Sequence, residues 1–270
     1  MQPGYYRDLS NEDYHGGEGV SKSQLDLLHK SPALLPWSRN APEDEEKKTA
    51  LNVGDAVHAI LLEPHRFDAE YAVGPKDAPR NTKAGKEAWA AFEEGLNGRT
   101  VLTHEEHRKI QLMRESVMAH PHARWLIEAE GDAEASIYWR EQETGELARC
   151  RPDKNINAHG WVMDLKTTAD MSRFAKSVYE YRYHVQDAMY SDGYAAHYGE
   201  PPAGFVFLVV STSIECARYP VRLFTLDAEA KQIGRAEYQA DMATFHECKA
   251  ANEWPGIETL SLPGWARKQS

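Results

Sequence analysis

The sequence predicts an α/β fold: a mixed α+β sheet flanked by helices, with a helix-rich region ahead of it. Three observations predict this. Apolar residues in the first part recur at helical spacing, as in Leu51, Val53, Val57, Ile60 and Leu61. Residues 134–166 then carry three strand-like runs separated by turn residues. Finally, Phe205-Val-Phe-Leu-Val-Val210 is short, apolar and β-branched, as in a strand buried on both faces. Helices, three meandering strands, a helix, two more strands and a helix pack most simply as a mixed sheet covered by helices.

The elements follow in order. Ser21-Lys-Ser-Gln-Leu-Asp-Leu-Leu-His-Lys30 predicts a short helix capped by serine and stopped near Pro32. Residues 40–48, Asn-Ala-Pro-Glu-Asp-Glu-Glu-Lys-Lys, are polar and predict a mobile loop. The apolar stripe that includes Val57 and Ile60 places a helix over 49–62, limited by Pro64. Two prolines, Asn81 and Gly85 mark 75–85 as a loop, and helical patterns follow over 84–95 and 104–129. Residues 134–139, Glu-Ala-Ser-Ile-Tyr-Trp, suit a strand, and Glu143-Thr-Gly145 a tight turn. A returning strand over 147–156 is interrupted by Pro152. Asn157-Ala-His-Gly160 then turns the chain into a third strand, Trp161-Val-Met-Asp-Leu-Lys166. A long helix is expected over 171–198, another strand near 215–225, and a last helix near 228–249.

Composition narrows the chemistry. No apolar run approaches the roughly 18 residues that cross a bilayer. The N-terminus lacks the basic-then-apolar pattern of a secretory signal, so a cytoplasmic protein with no membrane partner is expected. Cys150, Cys216 and Cys248 are widely spaced and odd in number, which argues against structural zinc, a disulfide framework and an iron–sulfur cluster; buried free thiols are expected. The net charge of −11 opposes nucleic-acid binding. It is unevenly spread, however. Residues 141–190 hold eight acids and seven bases, and several of those acids are candidate ligands for a cation that would reverse the local field.

The chemistry concentrates in the strands. Asp164 and Lys166 lie two apart on one strand and so share a face, opposite Trp161, Met163 and Leu165. Eleven residues earlier, Arg151-Pro-Asp153 ends the preceding strand, and a hairpin of that length brings Asp153 beside Asp164. Two neighbouring carboxylates repel unless a cation lies between them, and oxygen donors suit Mg²⁺ or Mn²⁺. Glu134, at the start of the strand before, supplies a third carboxylate.

Glutamate, then Pro-Asp, then Asp-x-Lys on consecutive strands resembles the PD-(D/E)xK nuclease superfamily. Gln186-x-x-x-Tyr190 on the following helix and Gly54-Asp-Ala-Val-His58 upstream are similar to motifs of its RecB-like branch. Within that branch the chain resembles the RecE-type (exonuclease VIII) nuclease domains. The likeness is carried by Ser10-Asn-Glu-Asp-Tyr-His15, Val20-Ser-Lys-Ser-Gln24, Cys150-Arg-Pro-Asp-Lys154 and Tyr183-His-Val-Gln-Asp187. Ser191-Asp-Gly-Tyr194 and Leu260-Ser-Leu-Pro-Gly-Trp265 extend it, so that it runs from about residue 7 to residue 267.

The resemblance implies a nuclease core over 131–270, with residues 1–130 a helix-rich part that carries the histidine motif and is integral to the same domain. It also implies roles. Asp153, Asp164, the Leu165 carbonyl and His58 would bind one ion, and Glu134 a second ion or its water. Lys166 would orient the attacking water. Gln186 would position that water or the scissile phosphate, with Tyr190 on the same helix face. Two Mg²⁺ ions, with Mn²⁺ an alternative, would support in-line attack at phosphorus. Candidate phosphate contacts are Lys22, Arg80, Lys83, Lys86, Arg149, Arg151 and Lys154.

The implied activity is 5′-to-3′ digestion of double-stranded DNA from a free end. It would release 5′-mononucleotides and leave 3′ single-stranded overhangs for single-strand-annealing recombination of prophage type. The implied partners are a RecT-like annealing protein and further copies of the chain in a toroidal tetramer. A restriction- or repair-type endonuclease using the same residues is the alternative within the fold. A catalytically inactive DNA-binding module is the alternative outside enzymes.

Overall fold

The computed structural model describes residues 1–42, 44, 53–264 and 266. The chain opens with β1 (Gly4–Tyr6), α1 (Asn11–Gly16), α2 (Lys22–Lys30) and α3 (Leu34–Asn40). Gln24 accepts the Ser21 amide at 3.0 Å, so the start of α2 is fixed by a side chain in its own first turn. Most of the expected 40–48 loop, and residues 49–52 of the expected 49–62 helix, lie outside the described residues. The rest of that helix is α4 (Val53–Leu62). Pro64 begins α5 (Pro64–Glu70), because the first helical position needs no amide donor.

An excursion follows: β2 (Tyr71–Val73), α6 (Lys83–Glu94) and β3 (Thr100–Leu102). Its two strands pair in parallel, and with three residues each they are too short for alternation to announce them. The single helix expected over 104–129 is two, α7 (His104–Ala119) and α8 (Pro121–Glu128). Pro121 forces His120 out of helical geometry, to φ −88° and ψ 115°.

The expected meander divides between two sheets. Its strands are β4 (Asp132–Ala133), β5 (Ser136–Arg140), β6 (Leu147–Cys150), β7 (Lys154–Ile156) and β8 (Trp161–Thr168). The β5–β6 hairpin takes β1 on its outer edge, whereas β4 and β7 join a five-stranded sheet. The chain thus changes sheet twice at one level, around Glu134 and around Pro152. A proline without an amide cannot carry a ladder through that point.

After a 3₁₀ turn at Met171–Arg173, α9 (Phe174–Glu180) and α10 (Tyr183–Tyr198) return the chain to β9 (Gly204–Ser211), parallel to β8. The expected continuous helix over 171–198 is therefore broken, at Arg182 with φ 53°. Next, β10 (Val221–Phe224) is shorter than expected and α11 (Ala228–Ala251) slightly longer. The large sheet is ordered β10-β9-β8-β7-β4.

Side-chain alternation accounts for the layers. Met163, Leu165, Val206, Leu208 and Val210 face α4, α7 and α8 in one core cluster. Val162, Phe205, Phe207 and Val209 face Phe174 and Tyr194 in another. A third core lies between the small sheet and α2, α10 and α11, through Leu25, Trp139, Cys150, Met189, Tyr238 and Met242. Cys150 and Cys248 are buried as expected, but Cys216 is exposed in a turn with positive φ. Among the described residues no helix is long and apolar enough to cross a membrane.

Candidate active site

The site forms where β7 begins and β8 continues. Pairing of Lys154 with Met163 sets the register, so Asp153 falls beside the next residues of β8. Its Oδ2 accepts the Leu165 amide at 2.5 Å. The Leu165 carbonyl shares that strand edge, beyond the first residue of β7. Asp164 and Lys166 stand on the opposite face from Met163 and Leu165, as the alternation requires.

Asp164 is only 1 % exposed, and both its oxygens are engaged. Oδ1 accepts from Gln186 Nε2 at 2.5 Å, and Oδ2 pairs with the Lys166 ammonium. Burial would lower the Lys166 pKa, but Asp164 and Asp153 outweigh it and hold the group above its ordinary value. Lys166 is therefore a fixed cation, seated 4.7 Å from the centre of the Tyr183 ring.

Glu134 does not begin a strand as the sequence suggests. It occupies the break between β4 and β5 in a left-handed conformation, φ 52°, with its amide donating to the Asp153 carbonyl at 3.1 Å. That bond ties the two sheet crossings together, and α4 brings His58 up to Glu134 and Asp153. Their donor atoms lie within 4.8 Å of one another. His58 Nδ1 is 3.5 Å from Asp153 Oδ2 and arrives on α4, from the face of the sheet opposite Gln186.

Electrostatics tests whether a cation fits. Burial, with Asp153 and Glu63 adding like charge, pushes the Glu134 carboxyl up to about 8. Burial raises Asp153 to about 6, against the opposing pull of His58. Carboxylates crowded this way are costly when ionised alone, and a hard divalent cation removes the cost. One imidazole, two carboxylates and a strand-edge carbonyl form a donor set that can hold it.

On the other face, Gln186 and Tyr190 lie one turn apart on α10. Gln186 is buried against Asp164. Tyr190 packs edge-on to Phe205 at 6.3 Å, and burial keeps its phenol protonated.

The basic candidates separate into three groups. Arg149, Arg151 and Lys154 do not face the site as phosphate contacts, because each is buried and spends its charge inside the fold. Arg149 donates to the carbonyls of His15, Gly17 and Glu18, Arg151 to Ser136, Asn11, Leu9 and Ser10, and Lys154 to the Ile127 carbonyl. They hold the N-terminal segment and α8 to the sheets. Arg80, Lys83 and Lys86 are exposed on the β2–α6–β3 excursion, where Arg80 lies over Trp89; no contact brings them to the carboxylates. Lys22 approaches the site from the side of Lys166. It pairs with Asp26 at 2.7 Å and lies 5.9 Å from the Tyr183 ring that also carries Lys166.

Two neighbours escaped the sequence reading. Glu63 follows α4 five residues after His58 and loads negative charge beside Glu134. Its position past the histidine, at the helix end, was the available signal. Tyr183, three residues before Gln186, shares that helix face but gives no signal without Lys166 in space.

A family model described as a PDDEXK-like domain of unknown function, DUF3799, matches residues 21–259. No curated protein matches the sequence significantly. Among solved structures, a candidate exonuclease from Eubacterium rectale superposes with a TM-score of 0.63 at 14 % identity, over 97 % of this chain and 94 % of that one. That likeness establishes a shared fold. A phage-related exonuclease from Haemophilus somnus aligns over 67 % of this chain and 91 % of its own, at 12 % identity and TM-score 0.33. An alkaline exonuclease from Laribacter hongkongensis aligns over 65 % and 87 %, at 13 % and 0.29.

Proposed function

Because the chain belongs to the PDDEXK-like DUF3799 family, we propose that it is a divalent-metal-dependent nuclease that digests double-stranded DNA from an end, 5′ to 3′. One observation carries the reading. The Leu165 amide draws Asp153 against the strand that presents Asp164 and Lys166, so acid, acid and ammonium converge on one edge.

The residues divide the work. Asp153, Glu134, His58 and the Leu165 carbonyl would hold the metal, joined by Asp164, in a two-ion arrangement with Mg²⁺ or Mn²⁺. The bound metal would supply Lewis acidity at the scissile phosphate and lower the pKa of the attacking water. Lys166, charged throughout the physiological range, orients that water and offsets negative charge developing on phosphorus. Gln186 has its Nε2 committed to Asp164 and therefore fixes the rotamer of a ligand. Tyr190 packs behind them.

Incubation of end-labelled linear duplex with and without Mg²⁺ tests the proposal. Metal-dependent release of 5′-mononucleotides, absent on closed circular duplex, is expected. Cleavage of the closed circle would support the endonuclease reading instead. No cleavage with Mg²⁺ or with Mn²⁺ in its place, despite DNA binding, would leave a binding module.

A further inference from the structure

Beyond Lys166, β8 runs on through Thr167 and Thr168 into a cavity of about 390 Å³ that no catalytic role uses. Arg173, Lys176, Tyr181 and Tyr183 line it. Tyr181 is 61 % exposed, and Tyr179 nearby is 72 % exposed. Neither hydroxyl has a hydrogen-bond partner among the described residues. Large exposed rings with idle hydroxyls contribute little to the fold.

We propose that this cavity is a stacking subsite for unpaired nucleobases of the strand being cut, with Tyr181 as its platform. The inference rests on the nuclease reading of the adjacent carboxylates. Three observations support it. The first is continuity: the Tyr181 and Tyr183 ring centres are 5.7 Å apart, and Lys166 lies 4.7 Å from the second. A base on Tyr181 therefore belongs to a nucleotide close to the phosphate at Lys166.

The second is rigidity. Lys22 Nζ donates to the Tyr181 carbonyl at 2.6 Å. The next residue, Arg182, is left-handed and clamped by Asp26, Glu237 and Asp241 at 3.0, 3.2 and 2.6 Å. The backbone that carries the platform is thus held before any ligand arrives.

The third is charge. Glu180 is paired with Lys176 at 2.9 Å, and Arg173 on the same wall offsets Asp170, so the acids lining the cavity are balanced and do not repel a strand. Stacking on a ring tolerates any sequence, since every base has a π-face. Paired bases already stack within the duplex, so the occupant is an unpaired end.

The probe is a short single strand carrying 2-aminopurine at successive positions, mixed with the full chain in Ca²⁺. Release of nucleotides from linear duplex in Mg²⁺ is measured in parallel. Quenching confined to one or two positions is expected. It should be lost in Tyr181→Ala, with affinity about 5- to 150-fold weaker, and kept in Tyr181→Phe. Quenching that Tyr181→Ala leaves unchanged, while duplex is still digested, overturns the subsite and spares the nuclease. Tyr181-dependent quenching without digestion sinks the nuclease reading and retains a binding site. A change of protein mass in Tyr181→Ala with unaltered oligonucleotide affinity assigns the ring to a contact between copies, and also overturns the proposal.

Discussion

Asp164 spends one oxygen on Lys166 and the other on Gln186, so removing either partner leaves a buried carboxylate half satisfied. Lys166→Ala is expected to lower the rate about 10²–10⁴-fold while calorimetric Mn²⁺ binding survives. His58→Ala should lose metal affinity and activity together in a folded protein, as circular dichroism would verify. Acidity provides a second test. Glu134 rises from 4.5 to about 8 and Asp153 from 3.8 to about 6, so folding raises both. A raised carboxyl contributes stability below its unfolded pKa and loses it as pH climbs through the folded value. The metal-free protein should therefore melt lower near pH 9 than near pH 5, and added Mg²⁺ should raise Tm more at the higher pH. Asp153, Asp164 and Lys166 were legible because strand parity is a local rule. The buried fate of Arg149 and Arg151 was not, since their partners in the N-terminal segment lie more than 130 residues away.

Elements with a strong period were read well: the end of α4 from its apolar stripe and Pro64, and β9 within a residue at each end from its unbroken β-branched run. Breaks inside helices were read less well. Pro121 offered a signal that the long apolar pattern masked, while Arg182 offers none, because its left-handed turn is held by carboxylates on α2 and α11. Close approach of elements is a further property hidden from periodicity. At Gly193, midway along α10, an added Cβ would lie 2.8 Å from Cys150 Sγ and from the Trp139 ring. Gly193→Ala should cost about 1–3 kcal/mol in urea unfolding, with Mn²⁺ affinity unchanged. Equal stability would mean that the helix can retreat from the small sheet.

At the scale of the whole molecule, the α/β class with a mixed sheet was legible; the strand partners were not named, and β8 and β9 pair in parallel across the helical stretch between them. The division of the meander into two sheets was not, because hairpin spacing says nothing about which partner a strand abandons. The net charge of −11 sets a further expectation. Phosphate contacts release counterions and weaken with salt, so an acidic processive enzyme gains by enclosing its DNA. Head-to-tail contacts that close on themselves give a ring. Light scattering should report a mass well above the 30.5 kDa monomer, with digestion that persists when competitor DNA is added. A monomer with distributive digestion would contradict both halves.

The paired crossings at Glu134 and Pro152 bear on how the molecule comes apart. Each crossing interrupts a ladder, and the last rung of the β4–β7 ladder, from the Glu134 amide to the Asp153 carbonyl, holds the two crossings side by side. An ion gripped by both carboxylates and by His58 would act as a rivet through three bodies: the small sheet, the large sheet and α4. Its removal would divide one cooperative unit into smaller ones. Amide hydrogens of β5 and β8 should then exchange at separate rates in chelator, and at one shared rate when the metal is restored.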